Sequence, residues 1–206
     1  MAPFIAVMVT SFTKIVVVIS LLRNALGLQQ TPPNVVINGL AIILSIYVMY
    51  PVIMDTTTAI AANNAAHTLT GGSEQMSVDR LGQIINAGKE PLRQFLIKHS
   101  HENERRFFLE SAKRLLPPAQ QADLTADDFI VIMPAFTVSE LTEAFQIGFL
   151  LFLPFIVVDL IVSNILLALG MMMLSPTMVS LPFKLLLFVI LNGWAKLVHG
   201  LVATYQ

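Results

Sequence analysis

Four ionisable residues stand inside otherwise apolar sequence: Lys14, Asp159, Lys184 and Lys196. A charge within a membrane-spanning helix costs roughly 2.5–3.5 kcal/mol on insertion scales, so such residues face protein or water and pair with one another. Asp159 and Lys184 lie on consecutive apolar stretches and are the expected pair, on two arms of one hairpin or on facing arms of neighbouring subunits. Such a pair serves either as a clamp on helix register or subunit contact, or as part of a proton or ion relay. A relay needs several protonatable groups in line, which favours the clamp. Lys14 and Lys196 are expected to snorkel, burying their stems while the ammonium reaches water.

A second cluster is a run of thioethers, Met171, Met172 and Met173, within Gly170 to Pro176. Methionine is unbranched and adaptable, so such a run is either a soft seal that re-packs around changing contents or a hydrophobic loop resting on its neighbours. Glu140 and Glu143 precede the third apolar stretch, where Ala144 and Gly148 make a small-xxx-small step that permits close helix approach. The two acids read either as a solvated helical turn or, together with Lys14, as a helix or subunit interface.

Motifs for catalysis are missing. The chain has no cysteine, no phosphate-binding glycine loop, no Gly-x-Ser-x-Gly and no His-Glu-x-x-His. His99 and His101 with Glu102 lack a further metal ligand and are expected to face solvent. No cofactor and no enzymatic activity are expected.

These residues sit on four apolar stretches, Ala2 to Leu22, Val35 to Met54, Phe145 to Leu169 and Phe183 to Ala203, each near the roughly 20 residues that cross a bilayer as helix. The 206 residues are 55% hydrophobic and 12% charged, against about 25% charged in ordinary soluble domains. Mean hydropathy is +0.74. A formal net charge of −1 provides no basic surplus for nucleic acid. The expected fold is an all-α membrane protein with two hydrophobic helical hairpins flanking a polar helical insert. Its divisions are residues 1–54, 55–128 and 129–206.

The first hairpin turns through Arg23 to Asn34 and the second through Gly170 to Pro182. The insert, Asp55 to Asp128, holds ten of the 13 acidic residues and eight of the 12 basic ones. Its first part, Thr56 to Ser77, is rich in Ala, Asn, Thr and Gly and reads as a flexible lead-in. Pro91 is expected to begin one helix and Ser100 to cap a second, on which Glu102 and Arg106 stand four apart. Pro154 is expected to kink the third stretch. If all four stretches span, Arg23 and Lys184, in or beside the short loops, place those loops in the cytoplasm and both termini and the insert outside.

Longer strings carry a family likeness. Thr10-Ser11-Phe12-Thr13-Lys14 and Leu22-Arg23-Asn24-Ala25-Leu26-Gly27-Leu28-Gln29-Gln30-Thr31-Pro32-Pro33-Asn34 resemble the FliP/SctR family of type III secretion export-gate proteins. So do Pro134-Ala135-Phe136, Ser139-Glu140-Leu141, Ala144 to Phe149, Leu153-Pro154-Phe155, Val158-Asp159-Leu160, Gly170 to Pro176 and Leu181-Pro182-Phe183-Lys184, in that order. The segment Gly39 to Met49 looks more like the virulence (injectisome) branch, SctR, than flagellar FliP. Family members begin with a longer apolar lead-in than the one before Pro3-Phe4-Ile5.

The resemblance implies a bacterial inner-membrane, multi-pass subunit with its insert on the periplasmic side. It implies a homopentamer joined by smaller SctS-like and SctT-like subunits, through whose centre unfolded secreted proteins pass. In that family the hairpins pack on one another above the membrane plane, in contact with lipid, instead of each spanning singly. It also implies that Met171, Met172 and Met173 form the gasket that closes the pore and that Asp159 and Lys184 act as a clamp. The alternative is a self-contained small-solute or ion transporter coupled through Asp159.

Overall fold

The computed structural model describes residues 7–69, 78–117, 121, 124–171 and 173–206. Every regular element among them is helical: α1 (Phe12–Ala25), α2 (Asn34–Leu69), α3 (Val78–Lys98), α4 (Glu102–Leu115), α5 (Phe129–Ala168), α6 (Pro176–Ile190) and α7 (Gly193–Ala203). The chain divides into two compact units, one of residues 1–10 and 46–140, the other of residues 11–45 and 141–206.

Among the described residues two helices are long and apolar enough to cross a membrane, α2 over Asn34–Ala62 and α5 over its whole length, and the bent pair α6–α7 would make a third. The four expected stretches are therefore redrawn. Helix α1 has 14 residues, about 21 Å, too short for a hydrocarbon core of about 30 Å. Its start at Phe12 follows from Thr10 and Ser11: the Thr10 hydroxyl donates to the Val7 carbonyl (3.0 Å), and the Ser11 hydroxyl donates to Ser45 (3.1 Å) and not to its own helix.

The expected flexible lead-in is helical as far as Leu69, because α2 continues through it; Thr70 to Ser77 lie outside the described residues. Thr56, Thr57 and Thr58 turn their hydroxyls onto the carbonyls of Val52, Met54 and Asp55, at 2.7, 2.8 and 2.9 Å, and the alanines among them favour helix. Pro91 stands inside α3 and begins no helix, and the N-cap of α4 is His101 in extended conformation, not Ser100. Pro182 likewise lies within α6, which starts at Pro176 where a missing N–H is harmless. The fourth stretch bends by 62° between α6 and α7. Asn192 takes the left-handed conformation there (φ 51°), and the Phe188 ring packs so closely on Gly193 that a Cβ at that glycine would overlap it.

In the first unit α3 buries Phe95 and Leu96, and the start of α5 buries Val131, Ile132, Ala135 and Phe136. The Phe95 and Phe136 rings meet at 5.7 Å. The hydroxyl of buried Ser139 accepts the His101 backbone N–H (2.9 Å) and donates to the Ala135 carbonyl (2.8 Å), fixing the turn between α3 and α4. His99 packs on the Phe95 ring at 4.7 Å, while His101 is exposed. Glu102 and Arg106 pair at 2.9 Å on the exposed face of α4, none of whose residues is buried.

The second unit closes on one core, with Ile15, Val18, Ile19 and Leu22 of α1 at its centre. Ile37 and Ala41 of α2, Ala144 and Phe155 of α5, Phe188 of α6, and Leu197 and Leu201 of α7 complete it. Gly148 brings α5 close to α1: a Cβ placed there would meet the Leu21 side chain, with Leu21 Cβ at 3.2 Å. Gly148→Val should overpack this contact by about 1–3 kcal/mol and lower the melting temperature of the detergent-solubilised chain, with Gly148→Ala milder. An unshifted melt for the valine variant would show that the contact is dispensable.

Candidate functional site

Helix α1 ends in a Schellman turn. Gly27, at φ 79°, donates its N–H to Asn24 (3.0 Å), and Leu28 donates to Arg23 (3.2 Å). The Arg23 guanidinium donates to the Asn34 side-chain carbonyl at 2.6 Å, tying this end of α1 to the start of α2. The next carbonyl, that of Ala25, accepts from Lys184 Nζ at 3.2 Å. A cation at a helix C-terminus is favoured by the helix dipole, and Lys184 satisfies an otherwise orphaned carbonyl there.

The same ammonium lies 2.7 Å from Asp159 Oδ2, and the Ser180 hydroxyl donates to Asp159 Oδ1. Ser180 is one turn before Lys184 on α6, so both reach the same carboxylate on α5. The Lys184 side chain is 5% exposed and that of Asp159 31%. The arrangement joins three helices by one buried cation and one carboxylate with both oxygens occupied.

A second ion pair lies at the other end of α1. Lys14 is fully buried, 2.7 Å from Glu143 Oε2 on α5, with its ammonium 4.3 Å from the centre of the Tyr205 ring just past α7. The expected snorkel is overturned for Lys14: the side chain runs into protein because a carboxylate and an aromatic face replace its water. Lys196 is exposed on α7. Glu140 is completely buried at the edge of the first unit, and Ala144 and Gly148 are both buried. Sequence reasoning missed Ser180, Ala25 and Tyr205. The four-residue step from Ser180 to Lys184 was a usable signal, whereas a backbone carbonyl and a distant aromatic ring leave none.

The methionine run follows a second Schellman turn. Gly170 (φ 72°) donates to Leu167 (3.1 Å) and Met171 to Leu166 (2.9 Å). Met171 is 46% exposed and Met173 100% exposed; Met172 lies outside the described residues. The turn thus holds thioether side chains outward between two anchored helices. Alongside it α5 and α6 leave an open, wholly apolar groove of about 470 Å³ lined by residues such as Val158, Ile165, Val179 and Phe183. Among the described residues no group of three or more His, Asp or Glu side chains gathers to hold a metal.

Apolar helices of spanning length and charges buried in pairs mark an all-helical protein of the membrane class. The FliP family profile covers residues 1–201, and the chain belongs to the FliP family. It is 51% identical over 204 residues to the hypersensitivity response secretion protein HrcR of Ralstonia nicotianae, covering 99% of this chain and 91% of that one. It is 53% identical over 203 residues to the Yop proteins translocation protein R of Yersinia pestis, covering 98% and 90%. The flagellar biosynthetic protein FliP of Cereibacter sphaeroides matches at 45% over 204 residues, covering 98% of this chain and 63% of its own length.

Proposed function

We propose that this chain is a pore-forming core subunit of the type III secretion export gate, through which unfolded proteins cross the bacterial inner membrane. The supporting observation is the methionine turn: Met173 stands fully exposed between two helices that the Lys184–Asp159 ion pair joins. Apolar side chains held out in this way, Met173 with Met171 and Leu174 beside it, need either lipid or other subunits to cover them. Several copies converging would build a soft constriction from Met171, Met172 and Met173.

In this reading residues 1–54 and 129–206 form the two hydrophobic hairpins, and residues 55–128 form the polar insert on the periplasmic side. Glu140, Glu143 and Lys14 serve the helix and subunit interface. The assembly is a homopentamer with SctS-like and SctT-like partners, further export apparatus components and surrounding lipid, and energy enters through other subunits. The greater identity to the secretion and translocation relatives above than to the flagellar one supports the injectisome branch. A transporter coupled through Asp159 fits less well, because both carboxylate oxygens are already engaged.

The test is native mass spectrometry of the tagged chain, gently extracted after co-expression with its genomic neighbours. A multi-copy complex retaining small hydrophobic partners is expected. A monomer or dimer that moves solute when reconstituted alone in liposomes would replace the gate with the transporter.

A further inference from the structure

Helix α7 has two unlike faces. Leu197 and Leu201, with Tyr205 beyond the helix end, turn inward to the core of the second unit. On the opposite side Asn192, Lys196 and His199 follow one another at the spacing of one helix face, with Ala203 continuing the line. All four are exposed, and the side chains of Asn192, Lys196 and His199 have no hydrogen-bonding or ionic partner among the described residues.

The helix before it behaves differently. The outward residues of α6 include Met178, Phe183, Leu186, Val189 and Ile190, all apolar and exposed, while its one charge, Lys184, is buried and paired. The chain changes from an apolar to a polar outer face at the 62° bend, where Asn192 adopts the left-handed conformation. Lysine, histidine and asparagine pointing into acyl chains would lack partners, and hydrocarbon supplies none. At 11 residues α7 is about 16 Å long, too short to cross a bilayer and carry its stripe to the far side.

We infer that the outer face of α7, marked by Asn192, Lys196 and His199, lines the aqueous path along which the transported polypeptide moves. This rests on the export-gate reading and names one wall of its channel. A stripe that is polar at Asn192, Lys196 and His199, with small neighbours at Ala203 and Gly200, suits a chain of varied sequence: it keeps water at the wall and leaves little apolar surface along that line to hold the passing segment.

The natural absence of cysteine allows a direct test. Lys196→Cys and His199→Cys, with Leu186→Cys and Val189→Cys on α6 as comparison, are made in the full co-expressed complex and treated in cells with a membrane-impermeant maleimide. Labelling is repeated with a secreted substrate fused to a tightly folded domain, so that it stalls in transit, and secretion of the unfused substrate is followed in each strain. The α7 positions should label, the α6 positions should not, and the stalled substrate should abolish the α7 labelling. Labelling that persists with stalled substrate would place the stripe in bulk water or lipid headgroups, and no labelling would place it under a neighbouring subunit; either overturns the inference while intact secretion leaves the export gate standing. Loss of secretion from the assembled cysteine-free parent complex would overturn both.

Discussion

Asp159→Lys should abolish recovery of the assembled complex, and adding Lys184→Asp should restore part of it. The reversal sets two ammonium groups against each other where one is 5% exposed, and removal of one partner from a buried pair typically costs about 3–5 kcal/mol. Marginal stability of about 5–15 kcal/mol leaves little to absorb such a loss. Recovery in the double variant should be incomplete for a local reason. Ser180 can turn its hydroxyl to suit either charge, but the Ala25 carbonyl now accepts from Lys184, and an aspartate in that place would oppose one acceptor to another. Steady-state level and migration of the complex on native gels are the readouts. A double variant no better than the single would mean that the contact with Ala25, not the ion pair, holds the three helices.

Replacing Met171, Met172 and Met173 together by alanine should leave the complex intact but make the resting membrane leaky to small solutes. Gly170 and the Schellman turn remain, and Met171 and Met173 point away from the chain that carries them, so the fold has little to lose. On the export-gate reading the lost contacts are those between copies, where alanine leaves a gap that its short side chain cannot refill. Release of a small impermeant dye from cells or loaded vesicles measures the effect. Unchanged permeability alongside normal assembly would remove the gasket role from this turn.

The sequence made some of this legible and hid the rest for identifiable reasons. Asp159 and Lys184 were conspicuous because hydrocarbon surroundings leave a charge few options. The same logic misled for Lys14, since snorkelling assumes nearby water; the sequence grouped it with Glu143 as an interface, but only the fold shows that carboxylate and the Tyr205 ring replacing its water. Thr56 to Thr58 read as loop-forming on propensity, yet each hydroxyl bonds back into α2 once the preceding helix supplies a carbonyl. Pro91 and Pro182 illustrate a related ambiguity: a proline marks a helix start or is tolerated inside one according to packing that composition does not encode. The bend before α7 depends on Asn192 and on the Phe188 ring over Gly193, a conjunction without a period to detect.

Helix α5 extends over 40 residues, about 60 Å, and carries outward apolar side chains along its length, from Ile130 through Phe145 to Ile165 and Leu167. A hydrocarbon layer of about 30 Å covers only half of that length. On the export-gate reading a newly made copy is therefore a misfit: where lipid ends, its apolar side chains meet water until other subunits cover them. On that reading such orphan surface marks an unassembled copy for quality-control proteases, so its lifetime follows how soon partners reach it. The amount of the chain in a cell would then follow the balance of synthesis among the subunits more closely than the melting point of its own fold.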